Sequence, residues 1–97
     1  MATNGMRPVH PGEILREDFL APLGMNPHAL AMALRVPASR INDIALGRRG
    51  VTADTAQRLA RYFGGDAQSW LNLQAMYDLK TLPTRAKIEK EVAPRAA

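Results

Sequence analysis

The sequence has no cysteine and no long run of apolar residues. Without thiols it can form neither a disulfide framework nor a thiolate metal site. No apolar stretch reaches the ~20 residues that a membrane-spanning helix needs, and residues 1–11 lack the apolar segment of a secretion signal. We therefore expect a cytoplasmic protein without a membrane segment.

Three further patterns are missing, and each argues against a class of structure or function. No stretch alternates β-branched and polar residues, so no sheet is expected. His10 and His28 are the only histidines, and neither has acidic or thiol companions at metal-ligand spacing. The sequence offers no glycine-rich phosphate loop and no triad with an oxyanion hole. We therefore expect no metal, no cofactor and no enzymatic activity.

The chain does have a modest excess of positive charge. Thirteen Lys and Arg residues stand against nine Asp and Glu residues, which gives a net charge of +4 over 97 residues. Such a balance attracts polyanions, but it also fits an ordinary solvated surface. The basic residues form no single run, so a surface for DNA has to be assembled by folding. The residues that folding would gather are Arg35, Arg40, Arg48 and Arg49.

Capping residues and breakers divide the chain into three parts. Residues 1–9 are predicted to be a flexible leader, residues 10–82 a helical domain, and residues 83–97 a charged tail that is either a short helix or a frayed end. Five helices are predicted in the domain because start signals occur at five places. These are Pro11, Asn26-Pro27, Pro37, Thr52 and Asp66.

The second and third predicted helices are separated by a short turn, which is typical of a helix-turn-helix. The second is expected to bury Leu30, Ala33 and Leu34 and to stop at Val36-Pro37. The third runs from about Pro37 to Leu46 and stops at Gly47. In such a unit the second of the two helices enters the major groove of DNA.

A helical wheel of the third helix separates an apolar face from a polar one. Its apolar side consists of Ile41, Ile44 and Ala45, which we expect in the core. The outward side offers hydroxyl, amide, carboxylate and guanidinium groups, which can form hydrogen bonds with the edges of bases. The predicted base-contacting residues are Ala38, Ser39, Arg40, Asn42 and Asp43.

A basic loop, Gly47-Arg48-Arg49-Gly50, follows this helix directly. Its two guanidiniums either interact with the negative end of the helix dipole or bind DNA phosphates. We favour phosphate contact, because the loop lies next to the predicted base-contacting face.

The fifth predicted helix carries Trp70, Leu71, Met76 and Tyr77. Trp70 is expected in the core, where its indole N–H needs a partner. Together these residues supply more apolar surface than one small core absorbs. They are therefore our candidate contact between two copies of the chain, which would set two recognition helices about 34 Å apart.

Three segments in order resemble the HigA-type antitoxins, also called virulence-associated protein I-like, within the Xre and phage-repressor helix-turn-helix group. The segments are HPGEILREDFLAPLGM from His10, VPASRINDIALGRRGVTADTAQRLARYFG from Val36, and WLNLQAMYDL from Trp70. The resemblance implies an all-α, five-helix, lambda-repressor-like domain followed by a short tail. It also implies base contacts by Ala38, Ser39 and Asp43, and phosphate contacts by Asn26, His28, Arg48 and Arg49.

The resemblance further implies a homodimer that binds a palindromic operator in its own promoter and neutralises a small RelE-like, mRNA-cleaving toxin. The tail is basic and therefore a poor match for a basic toxin, so we expect toxin contact at acidic Glu13, Glu17 and Asp18 instead. Two alternatives stay open. The chain is a repressor of the same fold without a toxin, or a helical protein-interaction module that does not bind DNA.

Overall fold

The computed structural model describes residues 7–96, and all regular structure in that range is helical. The first helical segment, called α1, is continuous over residues 11–23 and joins an α-helix Pro11–Ile14, a π-helix Leu15–Leu20 and an α-helix Ala21–Leu23. The remaining helices are α2 Pro27–Leu34, α3 Ala38–Ala45, α4 Ala53–Phe63, α5 Ala67–Lys80 and α6 Arg85–Glu91. Within the described residues there are thus six helices rather than the five predicted.

The predicted helix starts are confirmed by their caps. The side chains of Asn26, Thr52 and Asp66 each accept a hydrogen bond from the backbone N–H three residues further on. Proline stands in the first turn of α1 and of α2. These bonds satisfy N–H groups that a helix start otherwise leaves unpaired.

The π-helical stretch of α1 had no signal in the sequence. It is closed by the N–H of Ala21, which donates to the carbonyl of Arg16 five residues earlier. The wide turn ends directly before Pro22, a residue that has no N–H to continue a regular ladder. As predicted, the segment stops at Gly24, whose φ of 61° is in the left-handed region.

The core is built from apolar residues of the first five helices. Leu15, Leu30, Ile41, Ile44 and Leu59 are fully buried. The prediction for Ala33 was wrong, because Ala33 is exposed and Ala31 is buried in its place. The buried face of α2 therefore follows the i, i+1, i+4 spacing of residues 30, 31 and 34, which turns residue 33 to solvent.

Outside this core, α6 forms the helical part of the predicted tail. All of residues 85–91 are exposed, and the described chain measures 52 × 26 × 23 Å along its principal axes. No helix in residues 7–96 is long and apolar enough to cross a membrane. Of the predicted leader, residues 1–6 lie outside the described part of the chain, and residues 7–9 are irregular.

Candidate nucleic-acid interface

The turn between α2 and α3 spans only residues 35–37. Helix α2 ends at Leu34, two residues before Val36, where the sequence predicted its end. It ends there because Arg35 adopts the left-handed conformation with φ 62° and ψ 43°. The guanidinium of Arg58 donates to the Leu34 carbonyl at 2.9 Å and satisfies an otherwise unpaired helix-end acceptor. Pro37 then stands at the start of α3, as the sequence predicted.

Helix α3 turns its apolar side inward, which confirms the helical wheel. Ile41 and Ile44 are fully buried and Ala45 is nearly so. On the other side Ser39 and Asn42 are exposed, and Asp43 is half-buried. The outward face therefore presents a hydroxyl, an amide and a carboxylate, whose donors and acceptors match base edges in a major groove.

An open groove of about 340 Å³ lies between the start of α2 and the outward face of α3. It brings together predicted phosphate-contacting and base-contacting residues from the two helices. The Asn26 side-chain oxygen caps α2 at 2.8 Å, so its amide nitrogen is the end that can donate to a phosphate. The residues that line the groove are Asn26, Pro27, His28, Ala38, Ser39 and Asn42.

Arg40, a predicted base contact, is bound to α4 in this structure. Its guanidinium lies 3.1 Å from the Asp54 carboxylate, which also accepts from Arg58 at 2.9 Å. The Arg58 hydrogen bond, with smaller contributions from Arg40, lowers the pKa of Asp54. Arg40 is thus at the edge of the polar face, where it would have to leave a carboxylate to reach DNA.

The basic loop after α3 lies beside Asp43. One guanidinium nitrogen each of Arg48 and Arg49 is 3.9 Å from a carboxylate oxygen of Asp43. The Arg48 side chain is 69% exposed. Exposed pairs at such a distance contribute at most about 1 kcal/mol, so both guanidiniums can move to a phosphate.

Contacts from distant parts of the chain hold α3 and this loop in place. Arg16 of α1 donates to the carbonyl of Ala45, the last residue of α3. The backbone N–H of Val51, just after the loop, donates to the Gln74 side chain at 2.8 Å. Sequence reasoning missed Arg16, Arg58 and Gln74 because each contacts a residue more than twenty positions away, where no local spacing indicates it.

The predicted dimer residues occupy different environments. Trp70 is 5% exposed and packs on the ring of Phe19 with centroids 5.1 Å apart, so it belongs to the core and leaves little surface for a second copy. Leu71 and Tyr77 are half-buried, whereas Met76 is 55% exposed. More apolar surface lies further along the chain than the sequence indicated. Those exposed side chains are Leu79, Leu82, Ile88 and Val92.

The three acidic residues considered for toxin contact are all on α1. Glu13 accepts two hydrogen bonds from Arg7, at 2.9 and 2.7 Å, and the pair lowers the pKa of Glu13. Glu17 pairs with Arg16 at 3.2 Å, and Asp18 is exposed. Within residues 7–96, no group of three or more His, Asp or Glu side chains is placed to hold a metal ion.

Comparison with known proteins gives this geometry a context. The helix-turn-helix family matches residues 15–70 of the chain. Virulence-associated protein I of Dichelobacter nodosus is 66% identical over 77 residues, which cover 79% of this chain and 71% of that protein. Antitoxin HigA-1 of Vibrio cholerae is 38% identical over 86 residues, which cover 88% and 78%.

A solved structure agrees with these relatives. The Pseudomonas aeruginosa antitoxin HigA, determined with the higBA promoter, superposes with a TM-score of 0.89 at 49% identity and covers 93% of this chain and all of that one. The chain belongs to the helix-turn-helix family, in its HigA-type antitoxin branch.

Membership of the HigA-type branch confirms the resemblance seen in the three sequence segments. It also confirms that the chain belongs with DNA-binding proteins rather than with enzymes. The family match covers α2, the turn and α3 completely, so the groove and the outward face of α3 lie within it.

Proposed function

We propose that this HigA-type chain is a homodimeric antitoxin that represses its own promoter and neutralises a RelE-like toxin in the cytoplasm. Its DNA site would be a palindromic operator. Bases would be contacted by Ala38, Ser39, Asn42 and Asp43, with Arg40 joining after release from Asp54. Phosphates would be held by Asn26, His28, Arg48 and Arg49.

The DNA part of this proposal rests on one observation, which is the groove between α2 and α3. Side chains from the start of α2 stand on one side of it and the outward face of α3 on the other. If the sugar-phosphate backbone of a DNA strand lay along the start of α2, the outward face of α3 would face the bases. The guanidiniums of Arg48 and Arg49 lie beyond the other end of α3, where a second phosphate can be held.

The dimer part rests on exposed apolar surface. Five large apolar side chains within residues 76–92 are more than 40% exposed, namely Met76, Leu79, Leu82, Ile88 and Val92. Large apolar side chains exposed in such number over a short segment are typical of an interaction surface. A second copy that covers it would pair two α3 helices for half-sites one DNA turn apart.

Fluorescence anisotropy with a labelled duplex of the region upstream of the gene tests the DNA part, with a random duplex of equal length as the control. We expect tighter binding to the upstream duplex and a steep loss of affinity with salt, because each neutralised phosphate adds about −0.9 to the slope. Equal, weak binding of both duplexes would contradict the proposal and favour a protein-interaction module.

Co-expression with the neighbouring gene tests the toxin part. We expect the chain to restore growth and to co-purify with the product of that gene. Simultaneous alanine substitution of Glu13, Glu17 and Asp18 should weaken rescue without changing operator binding. Operator binding without any toxic neighbour would instead indicate a repressor that acts alone. Intact rescue by the triple variant would exclude these carboxylates from the toxin contact.

A further inference from the structure

His10 connects three parts of the domain. Its Nδ1 accepts a hydrogen bond from the backbone N–H of Gly12 at 2.8 Å and so caps α1. Its ring packs edge-on against Tyr77 of α5, with centroids 4.8 Å apart. The same ring lies against Gly47, where a Cβ would be 3.8 Å from His10 Cγ. The imidazole is therefore in contact with the start of α1, with α5 and with the basic loop.

The other edge of the His10 ring lies beside this loop, since a Cβ on Gly47 would be 3.8 Å from its Cγ and 4.0 Å from its Cδ2. Because Nδ1 accepts from Gly12, Nε2 is the nitrogen that carries the proton in the neutral ring. Burial lowers the pKa of His10 and favours this neutral ring, while the nearby backbone of Arg49 acts in the opposite direction with a smaller effect.

Two residues of α1 contact the C-terminal end of α3, from which the loop continues. Gly12 approaches the carbonyl of Ile44 so closely that a Cβ would be 1.7 Å from the oxygen. Arg16 donates to the carbonyl of the next residue, Ala45. The start of α1 thus touches the last turn of α3 through two residues, and the loop beyond it through a third.

We infer that His10 is a positioning residue for DNA binding, which holds the backbone of the Gly47–Gly50 loop so that Arg48 and Arg49 face phosphates. The inference rests on the proposed operator binding. His10 itself would not touch DNA. Its contribution would be to keep the loop ordered in the free protein, so that less ordering is needed when phosphates bind.

The substitution His10→Asn separates the cap of α1 from the contact between the His10 ring and the loop. An asparagine oxygen can replace Nδ1 as the cap of α1, and Asn is a favoured residue at that position. The shorter side chain lacks the ring that lies against Gly47 and Tyr77. The matched control is Asp66→Ala, which removes the capping bond from the Ser69 N–H to Asp66, at 2.8 Å, at the start of α5.

DNA affinity would be measured by anisotropy over a series of salt concentrations, and loop order by amide hydrogen exchange at residues 47–50. For His10→Asn we expect affinity to fall about three- to tenfold, as for the loss of one intramolecular contact. We expect the salt slope to decrease by about 0.9, as for one lost phosphate contact. Exchange in the loop should become faster. Asp66→Ala should lower the melting temperature but leave the salt slope and loop exchange unchanged.

Wild-type affinity, salt slope and loop exchange in His10→Asn would overturn the inference while leaving operator binding intact. The same effects in Asp66→Ala would also overturn it, because they would then reflect general stability. If the wild-type chain binds no duplex, the proposed function fails instead. Loop exchange then decides the positioning role alone, since faster exchange in His10→Asn supports it and unchanged exchange refutes it.

Discussion

Gly12 and the carbonyl of Ile44 are in direct backbone contact, because a Cβ added to Gly12 would lie 1.7 Å from the carbonyl oxygen. Gly12→Ala must therefore displace α1 from α3. We expect a loss of about 2 kcal/mol or more in the free energy of unfolding, measured by urea denaturation. Gly24→Ala is the control, since open space surrounds Gly24 and only its φ of 61° is unfavourable. It should cost about 1 kcal/mol. Equal costs would contradict the close approach.

Arg48→Ala and Ser39→Ala should weaken DNA binding in different ways. We propose a phosphate contact for Arg48, so its loss should weaken binding to operator and random duplexes alike and reduce the salt slope by about 1. We propose a base contact for Ser39, so its loss should lower the preference for the operator by about 1 kcal/mol, or roughly fivefold. Anisotropy with both duplexes measures the two effects. Parallel losses in both variants would refute this division of roles.

Asp43→Ala should change DNA binding in a third way. The carboxylate is 3.9 Å from both guanidiniums of the basic loop and would face DNA with a negative charge. Removing it frees Arg48 and Arg49 and removes repulsion, so binding to random DNA should become about two- to fivefold tighter. The preference for the operator should fall at the same time, because the proposed base contact of Asp43 is lost. Weaker binding to random DNA would show that Asp43 mainly orders the two arginines.

The locally encoded features of the fold were predictable, and the long-range ones were not. Helix starts could be predicted at Asn26, Thr52 and Asp66 because capping depends only on residues that are neighbours in the sequence. The spacing of Ile41, Ile44 and Ala45 likewise identifies the buried face of α3. Arg16 and Gln74 gave no signal, because their partners lie 29 and 23 residues away. The helical wheel predicts a base contact for Arg40, but it does not show that the guanidinium of Arg40 pairs with Asp54.

The stability of the domain should fall in mild acid through His10. The folded protein holds the pKa of His10 below its usual 6.5, mainly by burial, while Asp78 and the Arg49 backbone act in the opposite direction. The unfolded chain therefore binds a proton first, so this contribution to stability is complete above pH 6.5 and is lost as the pH falls through the folded-state pKa. His10 lines a small cavity together with two charged side chains, Glu13 and Arg16, which pair with Arg7 and Glu17 respectively.

Melting temperatures of wild type and His10→Asn between about pH 8 and pH 5 measure this effect. As the pH decreases, the melting temperature of the wild type should fall more steeply than that of His10→Asn. Any advantage of the wild type at about pH 8 should therefore become smaller at about pH 5. Parallel curves would show that His10 does not titrate in this range with a consequence for folding.

The exposed apolar surface of residues 76–92 should hold two copies together. Met76→Glu places a charge within it and should weaken the dimer by about 3 kcal/mol, or roughly a hundredfold in its dissociation constant. Met32→Glu is the matched control, because Met32 is 67% exposed on α2, outside this surface. Sedimentation equilibrium at micromolar concentrations should give a dimer for wild type and Met32→Glu and a monomer for Met76→Glu. A dimer in all three would place the contact between copies elsewhere, and a wild-type monomer would exclude the dimer altogether.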